Sequence, residues 1–243
     1  MKGNAELSFE DVVIRTSLIA APILMLLSGL VLPQLHGPDG TELSVSASYP
    51  GRYYAYVLLG LAGSVALVPA VYAIARRTRL RRARLGAIGG TLALIGAALS
   101  LADWGGELVK VEMGALSTTY HHAMIALLGR FDSSARIAAP LQISGIAFLL
   151  GMILLAIGLF RGRTAPGWVC AGLIAGTLGN LAGFATGSLI VLNLGNAGLL
   201  LCMGYLAARP PRLDDALTAR RDDNILLTSE ASTSFTTTQG ELP

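Results

Sequence analysis

The chain has 243 residues, of which 53% are hydrophobic and only 14% charged, and its mean hydropathy is +0.62. Soluble domains carry about a quarter of their residues as charge, so a soluble globular protein is excluded and an all-α polytopic membrane bundle is implied. The formal net charge of +3 does not point to nucleic acid, because the arginines cluster beside apolar runs, as membrane orientation requires.

A hydrocarbon core about 30 Å thick needs about 20 apolar residues per helix, and runs of that kind predict six transmembrane helices. Residues 1–15 read as a short cytoplasmic N-terminus. The first span, 16–35, is too long for the core of a signal peptide and has no small-x-small cleavage site. Pro22 is expected to bend it, which neighbouring helices tolerate in a bilayer. His36 to Gly40 is turn chemistry. Tyr49, Tyr53, Tyr54 and Tyr56 then mark a membrane–water interface, because their rings are apolar and their hydroxyls want water.

The second span, 54–75, contains Pro69 as an expected kink and ends in Arg76 to Arg84, where six of nine residues are arginine. Under the positive-inside rule that hairpin is cytoplasmic. The third span, 85–102, carries Gly86 and Gly90 at a spacing that lets another backbone approach. The fourth is 137–160 and ends in a second basic turn, Arg161 to Arg163. No charge occurs from Trp168 to Ala208, about twice the length of one span. That run must fold back, at Ala185 to Ser188, which gives spans 167–185 and 188–208. Residues 209–243 combine mixed charge, many hydroxyls and few apolar side chains, so a disordered cytoplasmic tail is expected.

Charge also selects the helix count. A seventh span over Met113 to Gly129 would export the Arg161 to Arg163 turn, against the positive-inside rule. Six spans are therefore expected, with Met113 to Gly129 as an outer amphipathic or re-entrant segment. Gly86 to Leu92 aligns without gaps on Gly172 to Leu178. The alignment reads equally as a parallel repeat of the kind found in some transporters and as chance in a chain rich in glycine and leucine.

Leu101 to His122 gathers most of the ionisable groups that lie close to membrane. Asp103 and Glu107 are four apart and share a face if the helix continues through Gly105 and Gly106. Two carboxylates at that range repel when both are ionised, which keeps a proton available for acid–base work; Lys110 or a histidine would cancel the effect. Asp103, Glu107, His121 and His122 are therefore the candidate catalytic residues, and Trp104, Glu112, Tyr120 and Asn180 the candidate ligand contacts. The competing reading makes Asp103 and Glu107 ordinary interfacial charges, Trp104 a belt aromatic and the histidines sensors of external pH.

Histidine and carboxylate together suit zinc or iron. Adjacent histidines on a helix point about 100° apart, however, and no HExxH spacing is present, so neither a metal nor a cofactor is expected. Both cysteines, Cys170 and Cys202, lie inside apolar runs and read as small hydrophobes. Asn180, Asn193 and Asn196 are expected chiefly to hydrogen-bond across to neighbouring helices, with Gly172, Gly176, Gly179 and Gly183 giving one small-residue face. No phosphate-binding glycine loop or nucleophile elbow occurs, which argues against an ATP-driven pump or a serine hydrolase.

The segment IAFLLGMILLAIGLFRGRTAPGWVCAGLIAG places Arg161, Arg163, Pro166 and Trp168 in a basic turn followed by Pro-x-Trp. It resembles the fourth-to-fifth helix hairpin of a broad group of uncharacterised bacterial six-helix integral membrane proteins. That resemblance implies a six-helix bundle in a bacterial plasma membrane and implies no activity. The size and acidic outer residues are also similar to integral-membrane terpene cyclases, which use membrane-edge carboxylates as proton donors and usually have seven spans.

The leading expectation is a multi-pass plasma-membrane protein, both termini cytoplasmic, that binds or moves a small hydrophobic or lipid-like molecule or serves as membrane partner of such a system. The alternative is a membrane-embedded acid–base enzyme, a cyclase or isomerase acting on an isoprenoid. Expected partners are membrane lipids, a small hydrophobic ligand, and a membrane-protein partner or a second copy of the chain, but no nucleic acid.

Overall fold

In the computed structural model, residues 9–36 and 42–209 are described. Residues 1–8, residues 37–41 of the predicted turn and the predicted tail from residue 210 lie outside that range. The described residues form helices and no strands: α1 (Phe9–Val31), α2 (Glu42–Ser48), α3 (Pro50–Arg79), α4 (Ala83–Ser133), α5 (Ala135–Arg161), α6 (Gly167–Thr186) and α7 (Leu189–Ala208). Six stretches are long and apolar enough to cross a membrane: α1, α3, the Ala83–Ser117 part of α4, the Gln142–Arg161 part of α5, α6 and α7. An apolar run with every backbone group bonded within its own helix is the form a single span takes in lipid.

Helix ends follow local chemistry. Pro50 stands at the start of α3, where its missing N–H costs nothing. Gly187 ends α6 with φ 68°, in the left-handed region that favours glycine. Ser188 then caps α7 by accepting from the Val191 N–H at 3.4 Å. The turn therefore falls where the uncharged run had to reverse. Helices α1 and α3 continue through Pro22 and Pro69.

The six spans close into a ring. α1 packs on α3, α3 on α4, α4 on α5, α5 on α6, α6 on α7, and α7 back on α1, with α5–α6 the least extensive of these contacts. Consecutive spans alternate in direction. At one end Glu10 of α1 pairs with Arg76 of α3 at 2.8 Å, and Arg81, Arg82 and Arg84 stand beside Arg161 of α5. Both basic hairpins thus lie at one end, called here the arginine end. His36 packs beside Gly187 at the other end, which also holds Glu42, Glu107 and Lys110 and is called the acidic end.

Small residues bring the helices together. A Cβ on Gly151 of α5 would strike the backbone of Ala93 in α4, one on Gly96 the backbone of Phe148, and one on Gly183 the backbone of Leu192. Close backbone approach of this kind supplies the dispersion contact that drives helix association in lipid, where no hydrophobic force acts between helices. The glycine face predicted on 172–183 packs against α7 as expected: Gly172 meets Cys202, Gly176 meets Leu199, and Gly179 meets Gly195. The aligned Gly86 and Gly90 instead face Arg79 and Ala75 of the preceding helix, so the two aligned segments pack on opposite neighbours.

Three features differ from the sequence reading. The helix that holds the third span continues past residue 102 through Ser117, with Glu107 and Lys110 half-buried and paired with each other while Asp103 stays exposed. Residues 42–48 form a short helix whose Leu43 and Val45 are buried. Tyr53 and Tyr56, read as interfacial, are 1% and 5% exposed; they face α4 while Tyr49 and Tyr54 keep exposed positions. Beyond Ser117 the chain stays helical with a break at Tyr120 (φ −124°, ψ 43°). Past that break Leu128 joins Leu43 and Met113 in a small apolar cluster.

Candidate functional site

A cavity of about 430 Å³ lies among the helices, lined by residues of all six spans and by Glu42 of α2. On α3 its wall is Tyr56, Ser64 and Leu67, spaced at about two and three helical turns from the first, so they share one face. α4 contributes Gly96, Ser100, Asp103, Trp104, Glu107 and Lys110, again at spacings of three and four.

Charge is concentrated at the acidic end. α4 runs unbroken through Gly105 and Gly106, so Asp103 and Glu107 do share a face. Lys110, one turn further, donates to Glu107 Oε1 at 2.7 Å and also to Glu42 of α2. Tyr53 donates its hydroxyl to the other Glu107 oxygen, Oε2, at 2.6 Å. Glu107 is therefore held on both oxygens, and its charge is matched by the ammonium that the sequence named as a possible counterion. Glu42 and Tyr53 were missed. They lie 68 and 54 residues from their partners, beyond any local spacing rule.

Asp103 differs from its neighbours. It is exposed and lines the cavity, and among the described residues it has no hydrogen-bond or ion-pair partner. Trp104 is 9% exposed: its indole lies over Gly60, which leaves room for it, and meets Tyr56 edge-on with centroids 5.0 Å apart. A belt aromatic would keep its ring at the headgroups; this one forms part of the wall.

The middle of the cavity is hydroxyl- and amide-rich. Asn180 donates to Asn196 Oδ1 at 2.7 Å, and Asn196 to the Met25 carbonyl at 3.3 Å, tying α6, α7 and α1 together. Asn193 donates to the Gly29 carbonyl at 3.2 Å. The interhelical bonding expected of these asparagines is thus observed, while Asn180 and Asn196 also face the cavity. Ser28 donates to the Tyr56 carbonyl at 2.9 Å and Ser144 to the Gly96 carbonyl at 2.9 Å. Ser64, 0% exposed, also borders the cavity, yet among the described residues its hydroxyl has no hydrogen-bond partner.

Of the predicted site residues, the fold brings Asp103, Trp104, Glu107 and Asn180 to this cavity. It does not bring Glu112, Tyr120 or His122. Glu112 and His122 are exposed, and Tyr120 is 60% exposed at the α4 break; none of the three lines the cavity. The His121 side chain lies outside the described residues. Among the described residues no three His, Cys, Asp or Glu side chains come together in a group that could hold a metal ion. Compared with known proteins, the chain matches no family, no curated protein and no solved structure.

Proposed function

We propose that this chain is a multi-pass membrane protein that binds, and holds or moves, a small lipid-like molecule in the cavity among its six spans. The observation that carries the reading is the cavity itself. Its volume of about 430 Å³ falls within the range of about 300–1,000 Å³ of small-molecule sites. Its walls combine apolar side chains such as Leu67, Phe148, Leu149 and Leu181 with hydroxyl, amide and charged groups, a pairing that fixes an amphiphile's orientation. Ionisable groups held at membrane depth mark function by default. The positive-inside rule assigns the arginine end to the cytoplasm and the acidic end to the outer leaflet, in what we take to be a bacterial plasma membrane.

The test is mass spectrometry of the protein purified in mild detergent, for bound small molecules, comparing wild type with the Asp103→Asn, Glu107→Gln double variant. A defined amphiphile that is present in wild type and lost in the variant is the expected result. Nothing specific bound in either form would overturn the reading and favour an interaction protein.

One observation favours a second reading, that of an acid–base enzyme acting on an isoprenoid. A carboxyl group without a partner, Asp103, stands one turn from a carboxylate fixed by Tyr53 and Lys110. Asp103 would be the proton donor. Membranes containing this protein alone would then convert a polyprenyl substrate, and the Asp103→Asn variant would abolish turnover while leaving substrate retention in place.

A further inference from the structure

We infer that the molecule taken up by this cavity is a cationic amphiphile, an apolar body bearing an ammonium group that sits against Asp103. This rests on the proposed ligand-binding reading and adds the sign of the headgroup. Among the described residues, the charged side chains lining the cavity are three carboxylates, Glu42, Asp103 and Glu107, and one ammonium, Lys110. Lys110 is already shared between Glu42 and Glu107, and Tyr53 takes up the remaining oxygen of Glu107. Among the described residues nothing engages either oxygen of Asp103, which lines the cavity. A carboxylate in such surroundings accepts charge-assisted hydrogen bonds from an ammonium and repels an anionic head.

Two further observations point to an occupant. Trp104, beside Asp103, presents an indole to the cavity, a surface that suits both an apolar stem and a cation. Two helical turns from Tyr56, toward the arginine end, the buried Ser64 hydroxyl borders the same cavity without a partner. A buried hydroxyl left unpaired costs about 1–3 kcal/mol, a cost that a polar group reaching this wall would offset. Leu67, Phe148, Leu149 and Leu181 also line the cavity and offer the apolar body its contacts.

The test uses the full-length protein in phosphatidylcholine nanodiscs. It measures saturable binding of dodecylammonium, dodecanol and dodecanoate, three probes of equal chain length, above that of empty discs. The expected result is dodecylammonium bound at least about tenfold more tightly than either other probe, the size of one charge-assisted hydrogen bond. Asp103→Asn should remove that preference and Asp103→Glu should keep it. Equal binding of the three probes, preference for dodecanoate, or an Asp103→Asn variant that discriminates as wild type does would overturn the cationic assignment and leave the amphiphile site standing. No saturable binding of any probe would overturn both. The wild-type comparison needs no variant, so a misfolded substitution cannot decide the outcome.

Discussion

Lys110 is the residue on which the acidic end depends. It lies one helical turn from Glu107, and its side chain is 14% exposed, as is that of Glu107, so two charges of opposite sign share a poorly hydrated space. Breaking such a pair from one side leaves a charge that neither water nor a partner compensates, at a cost of about 3–5 kcal/mol when fully buried. The half-open position of Glu42, 30% exposed, lowers that figure. We expect Lys110→Met to destabilise the protein by about 2–3 kcal/mol, read as a lowered Tm in nanodiscs. Adding Glu42→Gln and Glu107→Gln should recover most of the loss; if the triple variant is no more stable than Lys110→Met, the ion network is not what holds this end. Tyr53→Phe should cost less, about 1.5–2 kcal/mol, the worth of one hydrogen bond to a charged acceptor. How far the sequence exposed this site follows from chain distance. Asp103, Glu107 and Lys110 lie within two turns of each other and could be read directly. Glu42 and Tyr53 come from other helices, and only the fold decides that a tyrosine of the second span turns inward to Glu107 and not outward to the headgroups.

At the scale of the helix, glycine has two opposite uses in this chain. Gly151 stands where α5 touches the backbone of Ala93, with no room for a methyl group. Gly105, on the exposed side of α4, would place a Cβ with nothing within 4 Å. Gly151→Ala must push α4 and α5 apart and lose contacts along both, at a cost of about 1–3 kcal/mol typical of overpacking. Gly105→Ala should instead gain about 0.5–1 kcal/mol, because alanine loses less backbone entropy in a helix interior. Opposite shifts in Tm from these two substitutions are the expected outcome, and shifts of one sign would mean that the packing of α4 on α5 is looser than described. The spans themselves were legible because hydropathy alone needs no partner: a run of about 20 apolar residues must cross or be buried wherever it sits. The reversal between α6 and α7 was legible for the same reason, since an uncharged run of double length cannot stay straight. The helix α2 was not. Its seven residues, ELSVSAS, carry no periodic signal. It is held from outside its own sequence, by Leu43 packing with Met113 and Leu128 and by Gly114, whose missing side chain makes room for Ser46.

Across the whole molecule, the ring of six helices is uneven, and that unevenness gives the cavity a direction of access. Elsewhere large apolar side chains such as Leu194, Leu201 and Ile190 face outward, each at least 68% exposed, as a surface bathed in lipid chains would require. Of the contacts around the ring, those between α5 and α6 are the least extensive, and the cavity wall there includes Gly145, Phe148, Leu149, Leu181 and Phe184 beside the polar Ser144, Thr177 and Asn180. Leu181 and Phe184 are also 40% and 43% exposed, so the same side chains border both the interior and the outer surface. On the proposed reading, an amphiphile dissolved in the bilayer would pass between these two helices without leaving lipid, its apolar body moving past Leu149, Leu181 and Phe184 while its head turns toward Asp103. Gly145 is the position at which to close the gap: a Cβ there would meet only Leu181 Cδ1, at 3.7 Å, so a large ring can be accommodated without forcing backbones apart. We expect Gly145→Trp to lower stability by less than about 1 kcal/mol, read as a small shift in Tm, and to reduce dodecylammonium uptake at least about tenfold. Gly204→Trp, at a position on α7 where a Cβ would have nothing within 4 Å and which does not line the cavity, should bind as wild type does. Unchanged uptake through Gly145→Trp would show that the amphiphile reaches Asp103 by another way, past the α2 cap at the acidic end.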